Sequence, residues 1–294
     1  MNYYDEIKNR LISNEVYKRV KDYSKNRNDL DTYYNVGKLL YEAGKHYGER
    51  IIDEYSKRLT MELGKGYSKR NLWLMLSFYE FQEKVQTMSA QLSWSHYVEL
   101  LSIDNIDEVK YYIKITEENN LSIRELRNRI KSKEYERLPI TTRNKLISND
   151  SLEVQDLIKN PIIIKNTSNI EIIKETVLKQ LIIEDLDSFL SELGDGFCYI
   201  ANEYKILIGN RYNYIDLLLF NIEYNCYVVI ELKVTELKKE HIGQIEIYMN
   251  YINDNLRKDN MNKTIGIIIC KQDNKYVIKY CSDKRIIARK YVII

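Results

Sequence analysis

The chain has 294 residues, with 45 Lys or Arg against 43 Asp or Glu, a formal net charge of +2. That length suits two domains or one large one, and a hydrophobic share of 44% supplies a core, which excludes a wholly disordered chain. No apolar run approaches the roughly 18 residues of a membrane-spanning helix, and the opening MNYYDEIKNR lacks the apolar segment of a secretory signal, so no membrane partner is expected.

The four cysteines, Cys198, Cys226, Cys270 and Cys281, show no CxxC spacing, and only three His are present. They read as reduced thiols of a cytoplasmic protein rather than as a zinc site or a disulfide framework. Charge is unevenly spread: residues 1–150 carry net +3 and the remainder net −1. Between Arg124 and Lys145, eight basic residues (Arg124, Arg127, Arg129, Lys131, Lys133, Arg137, Arg143, Lys145) outnumber three acidic ones (Glu125, Glu134, Glu136). Such a stripe suits either phosphate contacts or a solvated helix face.

The first 138 residues read as helices, with apolar positions at three- and four-residue spacing, as in Val36, Leu39, Leu40 and Ala43. A helix around Ile51–Leu63 should end at Gly64-Lys65-Gly66, after which Ser68 caps a helix opening Lys69-Arg70-Asn71. A second helix, 108–119, should end at Asn120, and Ser122-Ile123-Arg124-Glu125 has the form of a capping box. Both pairs have a helix-turn-helix look. Lys69, Arg70 and Asn71, with Arg124, Arg127 and Arg129, are therefore candidates for DNA contacts, although helix pairs with a glycine turn occur in any helical domain.

Pro139 and Pro161 bracket a polar stretch, 141–160, that reads as a linker. The expected division is a helical domain over 1–145 and a second domain over 146–294. In the latter, a helix over 170–193 should stop at Gly194-Asp195-Gly196. An antiparallel meander of Phe197–Ile208, 212–222 and 226–234 should follow, then a helix over 239–253 and strands at 264–270 and 276–281. This is an α/β or α+β domain with a central sheet.

Three charged residues interrupt apolar strands: Asp216 in YIDLLLF, and Glu231 and Lys233 in VVIELKV. Buried charges normally pair or hold a metal. Glu231 and Lys233 are two apart and share one strand face. A hairpin turning at 223–225 brings Asp216 opposite them. Two carboxylates beside an ammonium suit an oxygen-coordinated Mg2+. The alternative is a structural salt bridge, which would leave the second carboxylate needing a partner.

Asp followed after 14 residues by Glu-Xaa-Lys, at the edge of an apolar hairpin, resembles the PD-(D/E)XK nuclease superfamily. FLSELGDGF, YIDLLLF, CYVVIELKV, GQIEIYMNYI and IGIIIC, with LSWSHY, YYI, IREL and EYERL earlier in the chain, resemble more narrowly the bacterial YhcG-type nucleases, from about Tyr33 to the C-terminus. The resemblance implies an N-terminal all-α, winged-helix-like DNA-binding domain. A restriction-endonuclease-like α/β domain with a central mixed sheet would follow it. It implies a DNA endonuclease dependent on Mg2+, with Mn2+ able to substitute, acting in phage defence or mobile-DNA processing. The alternative is a non-catalytic DNA-binding protein that retains the fold. The metal ligands map onto Asp216, Glu231 and the Leu232 carbonyl, the motif lysine onto Lys233, and a following glutamine onto Gln244. Cutting both strands would favour a homodimer.

Two departures stand out. Ile215 replaces the motif's leading proline, and Lys179 stands where the family commonly has a glutamate on the helix before the sheet. Helical geometry offers Glu175, within the apolar face of Leu178, Leu181, Ile182, Leu186, Phe189 and Leu193, as the replacement. Glu192 lies at the margin of that face and Glu184 opposite it. An exposed first turn is the competing reading of Glu175, and an exposed amide that of Gln244. His241 on its charged helix start reads as solvated. In the Trp94-Ser95-His96-Tyr97 cluster, Ser and His diverge too far on a helix to act as a nucleophilic pair; Trp94 and Tyr97 read as core or interdomain packing, with a DNA-facing role for Ser93 or His96 as the lesser alternative.

Overall fold

The computed structural model describes residues 2–19, 25–48, 50–85, 89, 91–148, 150–167 and 169–294. The chain divides into two compact units, Met1–Tyr135 and Glu136–Ile294, a division that falls before Pro139 rather than within the polar stretch behind it.

The first unit is helical: α1 (Tyr3–Arg19), α2 (Lys25–Tyr47), α3 (Ile51–Leu63), α4 (Lys69–Val85), α5 (Trp94–Leu100), α6 (Ile106–Asn119) and α7 (Ile123–Lys131). Its described residues include no strand. The spacing of Leu40, Leu59, Leu72, Phe78 and Tyr97 buries all five completely, each contributing about 2 kcal/mol by leaving water. Gly37 lets α2 and α4 touch, because a Cβ there would meet the Met75 carbonyl oxygen at 2.1 Å. The turn chemistry follows the sequence. Asn120 ends α6 in the left-handed region (φ 47°). Ser122 and Glu125 close a reciprocal capping box at α7, with the Ser122 N–H donating to Glu125 Oε2 at 2.7 Å.

A short turn, α8 (Glu134–Arg137), leads on. The stretch expected to be a linker is instead folded into α9 (Ile140–Ser148) and α10 (Val154–Leu157). Its order comes from a buried carboxylate together with two isolated apolar anchors, Val154 and Ile158, that join the core, too few to stand out in a polar composition. Asp156 accepts from Lys145 Nζ at 2.7 Å and from the Glu153 N–H at 2.8 Å.

The sheet has the order β1-β6-β5-β4-β3-β2, comprising β1 (Ile162–Ile164), β2 (Phe197–Ile208), β3 (Arg211–Asn221), β4 (Cys226–Glu236), β5 (Ile265–Gln272) and β6 (Ile286–Ile293). β2, β3 and β4 are antiparallel, while β4–β5, β5–β6 and β1–β6 are parallel. α11 (Glu175–Glu184) and α12 (Leu186–Leu193) cover one face, packing Leu178, Leu181, Phe189 and Leu193 on Val228, Ile230 and Leu232. α13 (Lys239–Asn255) covers the other, packing Ile245, Met249 and Ile252 on Val229, Ile268 and Cys270.

Two expectations are corrected here. The helix over 170–193 begins only at Glu175 and breaks at Asp185, whose side chain accepts the Ser188 N–H and starts α12. The strand over 276–281 is a helical turn, α14 (Lys275–Lys279), because the Asn274 side chain accepts the N–H groups of Tyr276 and Val277. The last strand lies beyond it.

Candidate active site

The β3–β4 ladder runs from Asn221↔Cys226 to Leu217↔Ile230. One step further this register sets Asp216 opposite Glu231. There the Asp216 carboxylate replaces a ladder partner: the Leu232 N–H donates to its Oδ2 at 2.9 Å. Strand alternation puts Glu231 and Lys233 on the face of Val229, toward α13. Lys233 Nζ donates to Glu231 Oε2 at 3.1 Å. The fold thus brings Asp216, Glu231 and Lys233 together.

Glu231 is 1% exposed, and its Oε1 is buried without a hydrogen-bond partner. Burial first, then the charge of Asp216, pushes its carboxyl up to about 7, against the pull of Lys233. Burial works against the charge of Lys233 too, but Glu231, with Glu175 and Asp216 behind it, holds its pKa above the ordinary lysine value. An unsatisfied buried carboxylate oxygen is costly, and a hard divalent cation is one way to satisfy it. The donor set fits Mg2+ in the mode that uses two carboxylates and leaves the rest of the shell to water and substrate oxygens. No group of three or more His, Cys, Asp or Glu suited to a metal occurs among the described residues.

Lys179 is the residue that sequence reading noted only as a departure. Its Nζ lies 2.9 Å from Asp216 Oδ1 and 3.0 Å from Glu203 Oε1. Burial opposes its charge, yet these two carboxylates raise its pKa. The available signal was its place beside Leu178, one step off the buried face of α11. Glu175 opens α11 and is exposed; its charge reaches Lys233 and His241, but it makes no hydrogen bond to the three. Gln244 is half-buried, and its Nε2 donates to Tyr248 Oη at 3.1 Å, one turn along α13. Glu192 is held by the Arg137 guanidinium and by the Ile163 N–H at 2.9 Å, a structural role. Glu184 is exposed.

In the helical unit, Lys69 pairs with Asp53 at 2.6 Å, Arg70 is exposed, and Asn71 Nδ2 donates to the Gly66 carbonyl at 2.7 Å. On α7, Arg124 is exposed, while Arg127 grips Glu99 through two bonds of 3.0 and 2.7 Å and Arg129 reaches Glu134 at 3.2 Å. Part of the stripe is therefore neutralised within the chain. His96 is structural: its Nδ1 accepts the Ser93 N–H at 3.1 Å and its Nε2 lies 3.0 Å from the Leu121 carbonyl oxygen.

A mixed sheet flanked by helices, with Asp, then Glu-Xaa-Lys, on neighbouring strands, is the arrangement of a PD-(D/E)XK nuclease domain. Residues 155–294 match the YhcG PDDEXK nuclease domain, and residues 10–137 match the DUF1016 N-terminal domain. The chain thus carries a YhcG-type PDDEXK nuclease domain behind a DUF1016 N-terminal domain. The Escherichia coli (strain K12) protein named "Putative nuclease YhcG" is 26% identical over 292 residues, covering 82% of this chain and 76% of that one. Among solved structures, a repair endonuclease from Pyrococcus abyssi aligns at 20% identity over 42% of this chain and 49% of its own, with a TM-score of 0.30. An EndoMS–dsDNA complex aligns at 18% identity over 42% and 47%, with a TM-score of 0.31. This chain spans about half the length of each of these two structures.

Proposed function

We propose that this chain is a Mg2+-dependent endonuclease hydrolysing DNA phosphodiester bonds at Asp216, Glu231 and Lys233. The observation that carries the reading is the buried, unpartnered Oε1 of Glu231 beside a second carboxylate and an ion-paired lysine. A structural salt bridge accounts for Lys233 and one Glu231 oxygen and leaves the other unexplained.

Asp216 and Glu231, with the Leu232 carbonyl, would hold Mg2+, for which Mn2+ can substitute. Bound there, the ion supplies a more acidic water and neutralises phosphoryl charge. Lys233, fixed by Glu231, orients the attacking water and offsets the charge that grows on the phosphoryl oxygens. Glu175 and Gln244 are outer members of the same site, contributing charge and a polar contact at its rim. Lys69, Arg70, Asn71 and Arg124 of the helical unit contact the duplex. Arg127 and Arg129 join them by exchanging their carboxylate partners for phosphates. Cutting both strands calls for two sites and hence a homodimer.

The test is incubation of the pure protein with supercoiled plasmid in Mg2+, Mn2+ or EDTA. Metal-dependent nicking supports the reading. Binding without cleavage in either metal favours a non-catalytic DNA-binding protein instead.

A further inference from the structure

The β2–β3 register, with Asn202↔Leu217 and Tyr204↔Ile215, sets Glu203 opposite Asp216 in the same way that the next ladder sets Asp216 opposite Glu231. Three adjacent strands thus align three carboxylates in a row, and two lysines interleave with them. Lys233 holds Glu231, and Lys179 sits between Asp216 and Glu203 with only 16% of its side chain exposed. Glu203 is held in the left-handed region (φ 46°), a conformation that non-glycine residues adopt at a cost and that concentrates at functional positions.

Both oxygens of Asp216 are engaged, Oδ2 by the Leu232 N–H and Oδ1 by the Lys179 ammonium. A divalent cation that coordinates Oδ1 competes with that ammonium, because two positive charges on one oxygen repel each other at contact distance. Stranding a half-buried lysine without a counter-charge would be costly. Glu203 is already in contact with it and, at 62% exposure, lies at the rim of the site.

We propose that Lys179 competes with the divalent cation for Asp216. When displaced, it is retained at the rim by Glu203, where its ammonium meets a phosphate oxygen of the substrate. This rests on the reading of Asp216 and Glu231 as the metal site. Lys179 occupies the cation position until metal arrives, keeping the carboxylate row neutralised.

The experiment titrates Mg2+ alone into the full-length wild type, Lys179→Met, Glu203→Gln and Asp216→Asn, following heat release and melting temperature, with melting in EDTA as the check on folding. Lys179→Met should bind Mg2+ about three- to fivefold more tightly, and Glu203→Gln more weakly by a similar factor, the size of a partly exposed ion pair. With saturating Mg2+ and a duplex oligonucleotide, Lys179→Met should raise KM more than it lowers kcat. A merely structural lysine would not tighten metal binding on removal. Should Lys179→Met fail to fold, the weakened affinity of Glu203→Gln carries the test. Wild-type binding that is lost in Asp216→Asn but unchanged or weakened in Lys179→Met overturns the role of Lys179 alone. A wild type that binds no Mg2+ overturns the metal site and this proposal together.

Discussion

Replacing Glu231 with Gln should stabilise the metal-free protein at pH 8 while abolishing cleavage. The buried carboxyl titrates at about 7 in the fold against an ordinary value of 4.5. Its folded pKa is raised, so its contribution to stability is fully present below 4.5 and is lost as the pH climbs through 7. Each pKa unit is worth about 1.4 kcal/mol, so above neutrality the ionised side chain costs up to roughly 3 kcal/mol. That figure already includes the attraction of Lys233, which acts on the same carboxyl. Glutamine keeps the shape and cannot ionise. In a unit of this size about 3 kcal/mol corresponds to roughly 6–12 °C in Tm. Thermal unfolding of the full-length chain in EDTA at pH 8, 6.5 and 5 should show the variant melting higher at pH 8, with the gap closing toward pH 5. Mg2+ should then raise the Tm of the wild type and leave the variant nearly unmoved. A variant less stable than wild type at pH 8, or a gap that does not shrink on acidification, would refute the reasoning.

Lys233→Met should lower the cleavage rate by at least about 100-fold, as for loss of an electrostatic stabiliser. DNA binding, followed by gel shift, should stay intact; a wild-type rate would remove the lysine from the chemistry. Changing Arg124, Arg127 and Arg129 together to Ala in the full-length Asp216→Asn protein should flatten the dependence of DNA affinity on salt, measured by anisotropy from about 50 to 200 mM; an unchanged slope would make the stripe a solvated face. Lys165 beside Asp185 and Arg285 beside Asp283 hold these two carboxyls below the usual range. Such depressed groups stabilise the fold above their unfolded pKa values and lose that contribution as the pH falls through the folded ones. The wild-type Tm should therefore drop below about pH 4, a drop made shallower by Asp283→Asn.

The hairpin and its charges were legible because period-2 alternation, broken by three charged residues, fixes both register and face. Asp216, Glu231 and Lys233 follow from that alone. The α9–α10 segment was not legible, since Asp156 orders it through polar bonds formed by residues that composition assigns to linkers. The break at Asp185 and the turn at Asn274 each rest on one side chain capping nearby N–H groups, a local event that apolar periodicity does not register. The pairing of Lys179 with Glu203 was not legible for another reason. Their meeting depends on α11 packing on the sheet so that the Lys179 side chain reaches Glu203 and Asp216, a tertiary contact to which no spacing in the chain corresponds. In the basic stripe, charge counting was blind to pairing: Glu99 of α5 and Glu134 of α8 lie close to Arg127 and Arg129 only once these helices fold beside α7.

Plasmid nicking by wild type and Asp216→Ala, side by side in Mg2+ and in EDTA, tests the central claim most directly. The carboxylate pair and Lys233 predict that wild type converts supercoiled plasmid in Mg2+ but not in EDTA, and that Asp216→Ala binds the plasmid without cutting it. Cleavage by Asp216→Ala at the wild-type rate, or cleavage by wild type undiminished in EDTA, would contradict it.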